Sequence, residues 1–164
     1  MQMSESSPLR VWWLVTLLLT ALGLVMGGAH VLEHPVRMHY DPELYFRVTS
    51  TMYRYFGIIG GPIQVLALIA AVLLAWRTRT QPGFGWTLTG TLLLALSLLL
   101  WFLRVQPVNE AWLEAMRARP DSVVETYARL RGRWEWGHVM AFVAWLLGFC
   151  LLLYSALRQA GSDQ

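Results

Sequence analysis

The chain has 164 residues and a formal net charge of +3, with 56% hydrophobic residues against 14% charged. A water-soluble fold of this size would have too little polar surface to cover itself. The basic residues are all Arg and sit beside acids or at the ends of apolar runs, with no basic stripe on a soluble face. Nucleic acid is therefore excluded as a partner, and membrane lipid is the expected surrounding.

Taken in chain order, four stretches run without a charge for about the 20 residues that a helix needs to cross hydrocarbon. Their charge-free cores are about Val11–Leu32, Tyr55–Trp76, Trp86–Leu103 and Trp136–Leu157. Backbone polar groups in lipid must be satisfied within the segment, so each is predicted as a helix. The spans are placed at about 11–32, 55–76, 86–105 and 136–158, with polar loops at 33–54 and 106–135. The expected fold is all-α, an integral membrane four-helix up-down bundle forming one domain. Short amphipathic helices are expected in the third loop, at about Asn109–Ala118 and Asp121–Gly132. The first apolar run is too long for a signal-peptide core of about 7–15 residues, so it is read as a retained span.

Tryptophans border the spans. Trp12, Trp13, Trp76 and Trp86 mark one interface, and Trp101, Trp134 and Trp136 the other. Gly23/Gly27 and Gly57/Gly61 have the spacing for close helix approach, which permits a homodimer. Gly60-Gly61-Pro62 is expected to kink the second span or mark its first turns, and Gln64 should face inward. Cys150, the single cysteine, can form neither an intrachain disulfide nor a CxxC pair and reads as a small buried hydrophobe.

Four crossings bring the end of helix 1, the start of helix 2, the end of helix 3 and the start of helix 4 to one membrane face. That face collects His30, Glu33, His34, Tyr53, Arg54, Tyr55, Arg104, Gln106, Asn109, Glu135 and His138. The opposite face has Arg10, Arg77, Arg79, Arg158 and turn residues. His30 and Glu33 are spaced i,i+3 on one helix, and Glu135 and His138 repeat the spacing in reverse on an antiparallel one. Two imidazoles and two carboxylates at one depth suit a transition metal, iron or copper first and zinc also, held by His30, Glu33, Glu135 and His138. Haem on His30 and His138 is a further candidate. A metal-free polar pocket is the alternative. A purely structural role is another, since His30 near a helix end and Glu135 near a helix start would each complement a dipole. His30-Val-Leu-Glu33-His34 also matches a zinc-protease pattern, but Pro35 follows at once and is expected to hold His34 extended, at the surface with His39.

The runs Gly28-Ala-His-Val-Leu-Glu-His-Pro35, Tyr45-x-x-x-Thr-Ser-Thr-x-Tyr53-x-x-Phe-Gly57, Gln106-Pro-Val-Asn109 and Arg133-Trp-Glu-Trp-Gly-His138 span most of the chain. Together they resemble the anthrone oxygenase-like family of small four-helix membrane proteins. The resemblance implies an oxygen-using oxidation of anthrone-type aromatic polyketides to quinones, as in the fungal members. It carries Asn109 and His138 across as site residues, with Gln106-Pro107 placing Asn109. The His30/Glu33 pair and a longer Arg-rich third loop depart from the fungal pattern and leave the substrate open.

The function expected is therefore a membrane oxidoreductase acting on a hydrophobic aromatic or quinol-type molecule. Its catalytic candidates are His138, His30, Asn109, Glu135 and Glu33, with a metal assisting or absent. The competing expectation is a non-catalytic subunit that docks a partner protein through the Arg/Glu-rich third loop. A small transporter fits less well, because no charge lies at the midplane of a span. The expected location is a cell membrane, as a multi-pass protein of a bacterial inner membrane. Arg10, Arg77 and Arg79 favour the N-terminus inside and the polar cluster outside.

Overall fold

The computed structural model describes residues 6–162. Its order is α1 (Ser6–Arg37), α2 (Pro42–Met52), a π-helical turn (Phe56–Gly60), α3 (Gly61–Arg77), α4 (Phe84–Arg104), α5 (Gln106–Ala118), a 3₁₀ turn (Pro120–Ser122) and α6 (Val123–Ser162). The chain is all-α among these residues, and four of its helical stretches are long and apolar enough to cross a membrane. Leu14, Leu18, Val25 and Ile69 are each more than half exposed, which places the apolar exterior against lipid.

Two helices are far longer than a bilayer requires. At 1.5 Å per residue α1 is roughly 48 Å long and α6 roughly 60 Å, against a hydrocarbon core of about 30 Å. The region expected as a polar loop at 33–54 is mostly helix. α1 continues through Pro35, although proline removes a backbone donor. Arg37 folds back and donates from Nη2 to the His30 carbonyl at 3.0 Å, a side-chain bond that spans the proline. His34 is therefore helical, not extended, with its ring against Trp136 at 5.2 Å. His39 lies exposed in the following turn, as expected. Asp41 then caps α2, accepting from Leu44 N–H at 2.9 Å, with Pro42 in the first turn.

The third loop also differs in detail. α5 starts at Gln106, one residue beyond α4. The second expected amphipathic helix is no separate element, because α6 runs unbroken from Val123 through Gly132 into the last span. His30 thus lies seven residues before the end of α1 and Glu135 twelve residues inside α6. Neither sits at a helix terminus, and the dipole account of them fails.

The bundle closes around small residues. A Cβ on Gly148 would lie 2.9 Å from the Gly90 carbonyl, so α4 and α6 nearly touch there. Thr87 and Ser155 share a hydrogen bond at 2.9 Å, and Ser97 donates to Ala141 O at 2.7 Å. Gly23 and Gly27 face inward, against the rings of Trp145 and Phe142. Gly148→Leu should cost about 1–3 kcal/mol by overpacking, read as a lower unfolding midpoint in detergent.

Two interface residues are interior instead. Trp13 is buried and donates from Nε1 to Gln159 at 2.9 Å, and Trp134 is 3% exposed. Trp76, Trp86 and Trp136 remain at the periphery. Cys150 is exposed on the outside of α6 and is not a core residue.

Beyond the spans, α2, α5 and the first turns of α6 build a second core from Tyr45, Val108, Trp112, Val123, Tyr127 and Trp134, among others. Trp112 stacks on Tyr127 at 4.0 Å with planes 9° apart. This aromatic lobe covers the end of the bundle where the polar residues gather.

Candidate functional site

Under the lobe lies a cavity of about 1100 Å³. Its polar end is lined by His30, Tyr53, Asn109, Trp112, Trp134 and His138, and its deep end by Gly23, Phe142 and Trp145. Gln64 lines it too, facing inward as expected. The π turn sits at the wall where α3 begins. Pro62 has no amide hydrogen to continue the ladder, and the extra residue of the turn lets the helix restart at Gly61.

His138 stands one turn past Trp134 on α6. Its Nδ1 lies 3.0 Å from the Trp134 carbonyl. A carbonyl only accepts, so Nδ1 carries the proton and donates, and Nε2 keeps its free electron pair. The Trp134 indole donates to Asn109 Oδ1 at 2.9 Å. An indole N–H cannot accept, so the amide oxygen of Asn109 faces it and the amide N–H₂ remains for another partner. Trp134 thus sets the orientation of both polar groups on either side of it.

His30 is 6% exposed and lies between two rings. It stacks on His138 at 4.2 Å with planes 24° apart, and on Tyr53 at 4.7 Å with planes 27° apart. Phe56 and Trp134 close its edges at 5.1 Å and 5.3 Å. Its Nδ1 is buried with no hydrogen-bond partner among the described residues, as is Trp112 Nε1.

The carboxylates belong to a different network, centred on Arg37, which is 1% exposed. Arg37 grips Glu135 with two bonds, Nε to Oε1 at 2.9 Å and Nη2 to Oε2 at 2.6 Å. Nη1 donates to Glu33 at 2.9 Å and also to the Tyr53 hydroxyl. The guanidinium lies 4.7 Å from the Tyr53 ring centroid and 5.7 Å from that of Trp134. Tyr45 donates to Glu135 Oε1 at 3.1 Å. Burial, then the neighbouring Glu135 charge, pushes the Tyr45 phenol well above its ordinary value, so it stays a hydrogen donor. Arg131 closes the outside: it donates to the Tyr40 carbonyl at 2.8 Å and to that of Arg37 at 3.3 Å, and lies over the Tyr45 ring at 4.7 Å. These bonds tie the end of α1 and the turn after it to α6.

This arrangement differs from the expected ligand set. A metal needs free electron pairs from several donors turned to one point. Glu33 and Glu135 are both committed to Arg37. His30 and His138 lie face to face, so their in-plane electron pairs do not meet on a common atom. Among the described residues no three His, Cys, Asp or Glu side chains group to hold an ion. His30, Glu33, Glu135 and His138 do not fit an iron, copper or zinc centre. Nor do the stacked imidazoles fit haem, which needs them on opposite faces of a ring.

The structure brings His30, His138 and Asn109 to one cavity wall, while Glu135 and Glu33 stand behind that wall on Arg37. Arg37, Tyr45, Trp112 and Tyr127 are the residues that sequence reasoning missed. The signal for Arg37 was present as His30-x-x-Glu33-x-x-x-Arg37, one face of a continuing helix. No family model matches the chain, and no curated protein or solved structure matches it either.

Proposed function

We propose that this protein is a membrane-embedded oxidoreductase of the oxygenase type, acting on a lipid-soluble aromatic of the phenol, quinol or anthrone kind. The observation that supports it is the free Nε2 of His138 beside the Asn109 amide, both oriented by Trp134, on the wall of a largely apolar cavity. Nε2 takes the acidic proton of the substrate, from a phenol O–H or from a methylene activated by a neighbouring carbonyl. The Asn109 N–H₂ donates to the oxyanion that forms. The electron-rich anion then reduces molecular oxygen, the oxidant. A methylene and O₂ give a carbonyl and water; a quinol and O₂ give a quinone and hydrogen peroxide. Arg37 holds Glu135 and Glu33 away from the reacting atoms, so the carboxylates position the wall and take no part in proton abstraction. The reading agrees with the resemblance to the anthrone oxygenase-like family and with placement in a bacterial inner membrane.

The test is oxygen uptake by the protein in vesicles, with anthrone and a 2-alkylhydroquinone as substrates. Saturable uptake is expected, with Asn109→Ala about 10²–10³-fold slower, the usual loss of one oxyanion donor. Absence of protein-dependent uptake with both compounds would overturn the proposal. A second reading has one observation in its favour: Glu110, Glu114 and Arg117 on α5, Arg119 just after it and Arg129 on α6 are exposed charged residues of the third loop region. A docking subunit of that kind would co-purify with a partner chain and tolerate both His30→Ala and His138→Ala.

A further inference from the structure

The cavity is longer than a compact aromatic needs. Trp134 and Trp145 line its two ends and are eleven residues apart on α6, which at 1.5 Å per residue is roughly 16 Å. Its volume of about 1100 Å³ also lies just above the range of roughly 300–1,000 Å³ seen for drug-sized ligands.

The two ends differ in chemistry. At the lobe end, His30 Nδ1 and Trp112 Nε1 are buried without partners among the described residues, and their side chains are 6% and 3% exposed. A buried orphan polar group is costly unless something else satisfies it. Trp112 can only donate, and neutral imidazole can accept. With His138 Nε2 and the Asn109 amide, this end offers both donors and acceptors to a head group that carries oxygen functions. The deep end is apolar, with the ring of Trp145 packed directly against Gly23.

The way in is from the side. The lobe of α2 and α5 closes the polar end with buried Tyr45, Val108 and Trp112. Between α3 and α4 the wall is open: Gly57 and Gly61 have nothing within 4 Å of where a Cβ would stand. Val65, Leu99 and Phe102 line the cavity and yet are 50%, 52% and 63% exposed. Gly57 in the π turn is followed by Gly61 and Val65, spaced i, i+4 on α3, and Leu99 and Phe102 are spaced i, i+3 on α4, so both sides present small or apolar residues to the gap. Deeper down the same two helices are joined, Thr91 donating to Ala71 O at 3.3 Å.

Resting on the reading of the polar end given above, we infer that the occupant is a quinol or phenol with a long alkyl chain. Its oxygenated ring lies against His30, Trp112, Asn109 and His138. Its chain lies in the apolar arm and leaves to the bilayer through the gap between α3 and α4.

Photo-crosslinking in phosphatidylcholine vesicles tests this. The probe is a 2-decyl-1,4-hydroquinone with a diazirine at the chain end; a decylbenzene with the same diazirine is the control. The expected result is labelling of the π turn and the start of α3 at 57–65 and of α4 at 98–102, reduced at least fivefold by excess unlabelled decylhydroquinone. The control probe should label these segments no more than other lipid-facing residues. Gly61→Phe, which narrows the gap, should reduce labelling there at least fivefold. Competed labelling elsewhere on the chain would overturn the path of the alkyl chain while leaving the head-group reading intact. Equal labelling by both probes would show a groove for acyl chains and overturn the inference. Labelling without competition anywhere would overturn both.

Discussion

Arg37→Ala should lower the stability of the protein by about 3–5 kcal/mol, the cost of leaving one member of a buried ion pair alone. The size follows from how much Arg37 holds. It makes two bonds to Glu135, one to Glu33, one to Tyr53 and one to the His30 carbonyl, and it lies over two aromatic rings. Glu135 is 1% exposed, so without Arg37 its charge has only the Tyr45 hydroxyl left. Removing the His30 carbonyl bond also releases the segment around Pro35. Unfolding in detergent, followed by circular dichroism, checks this. The double replacement Arg37→Met, Glu135→Leu should recover most of the loss, since apolar residues of similar volume often match a buried pair. A double variant as unstable as Arg37→Ala would show that the bonds around Pro35, and not the stranded charge, dominate.

His138→Ala should reduce turnover of the substrate by about 10²–10⁴-fold, the usual contribution of a positioned general base. Stability should change far less, because the ring makes one hydrogen bond, to the backbone of its own helix. Truncation also removes the face on which His30 stacks. His138→Gln separates the two effects, because it fills part of the space without a basic nitrogen. Oxygen uptake and the unfolding midpoint are measured on the same preparations. Equal turnover by wild type, His138→Ala and His138→Gln would remove His138 as the base.

Most of the fold was legible because hydrocarbon imposes one rule on every span: no charge for about 20 residues, with the backbone satisfied inside the helix. The convergence of His30, Asn109 and His138 followed from alternating helix direction alone. What the sequence hid were cases in which a tertiary contact overrides a local signal. Pro35 predicts a helix end, yet Arg37 bonds across it, and the helix that results delivers Arg37 to Glu135. Once Arg37 is in place, the carboxylates cease to be free ligands, which no spacing of His and Glu could reveal. Trp134 was read as an interfacial residue because its neighbours are; its burial depends on α5 supplying Asn109 as an acceptor. Gly132 suggested the end of a helix and ends nothing, since α6 packs on both sides of it.

The unbroken course of α6 has a mechanical consequence. Arg131, Trp134, Glu135, His138 and Trp145 are carried on one rod, so their spacing is set by helical rise: roughly 4.5 Å from Glu135 to His138 and roughly 10 Å onward to Trp145. The anchor, the base and the far wall of the cavity therefore translate and tilt as one body. The rim at Gly57, Gly61, Leu99 and Phe102 belongs to other helices. The shape of the opening can change by substitution there while the base keeps its distance from the ion pair behind it.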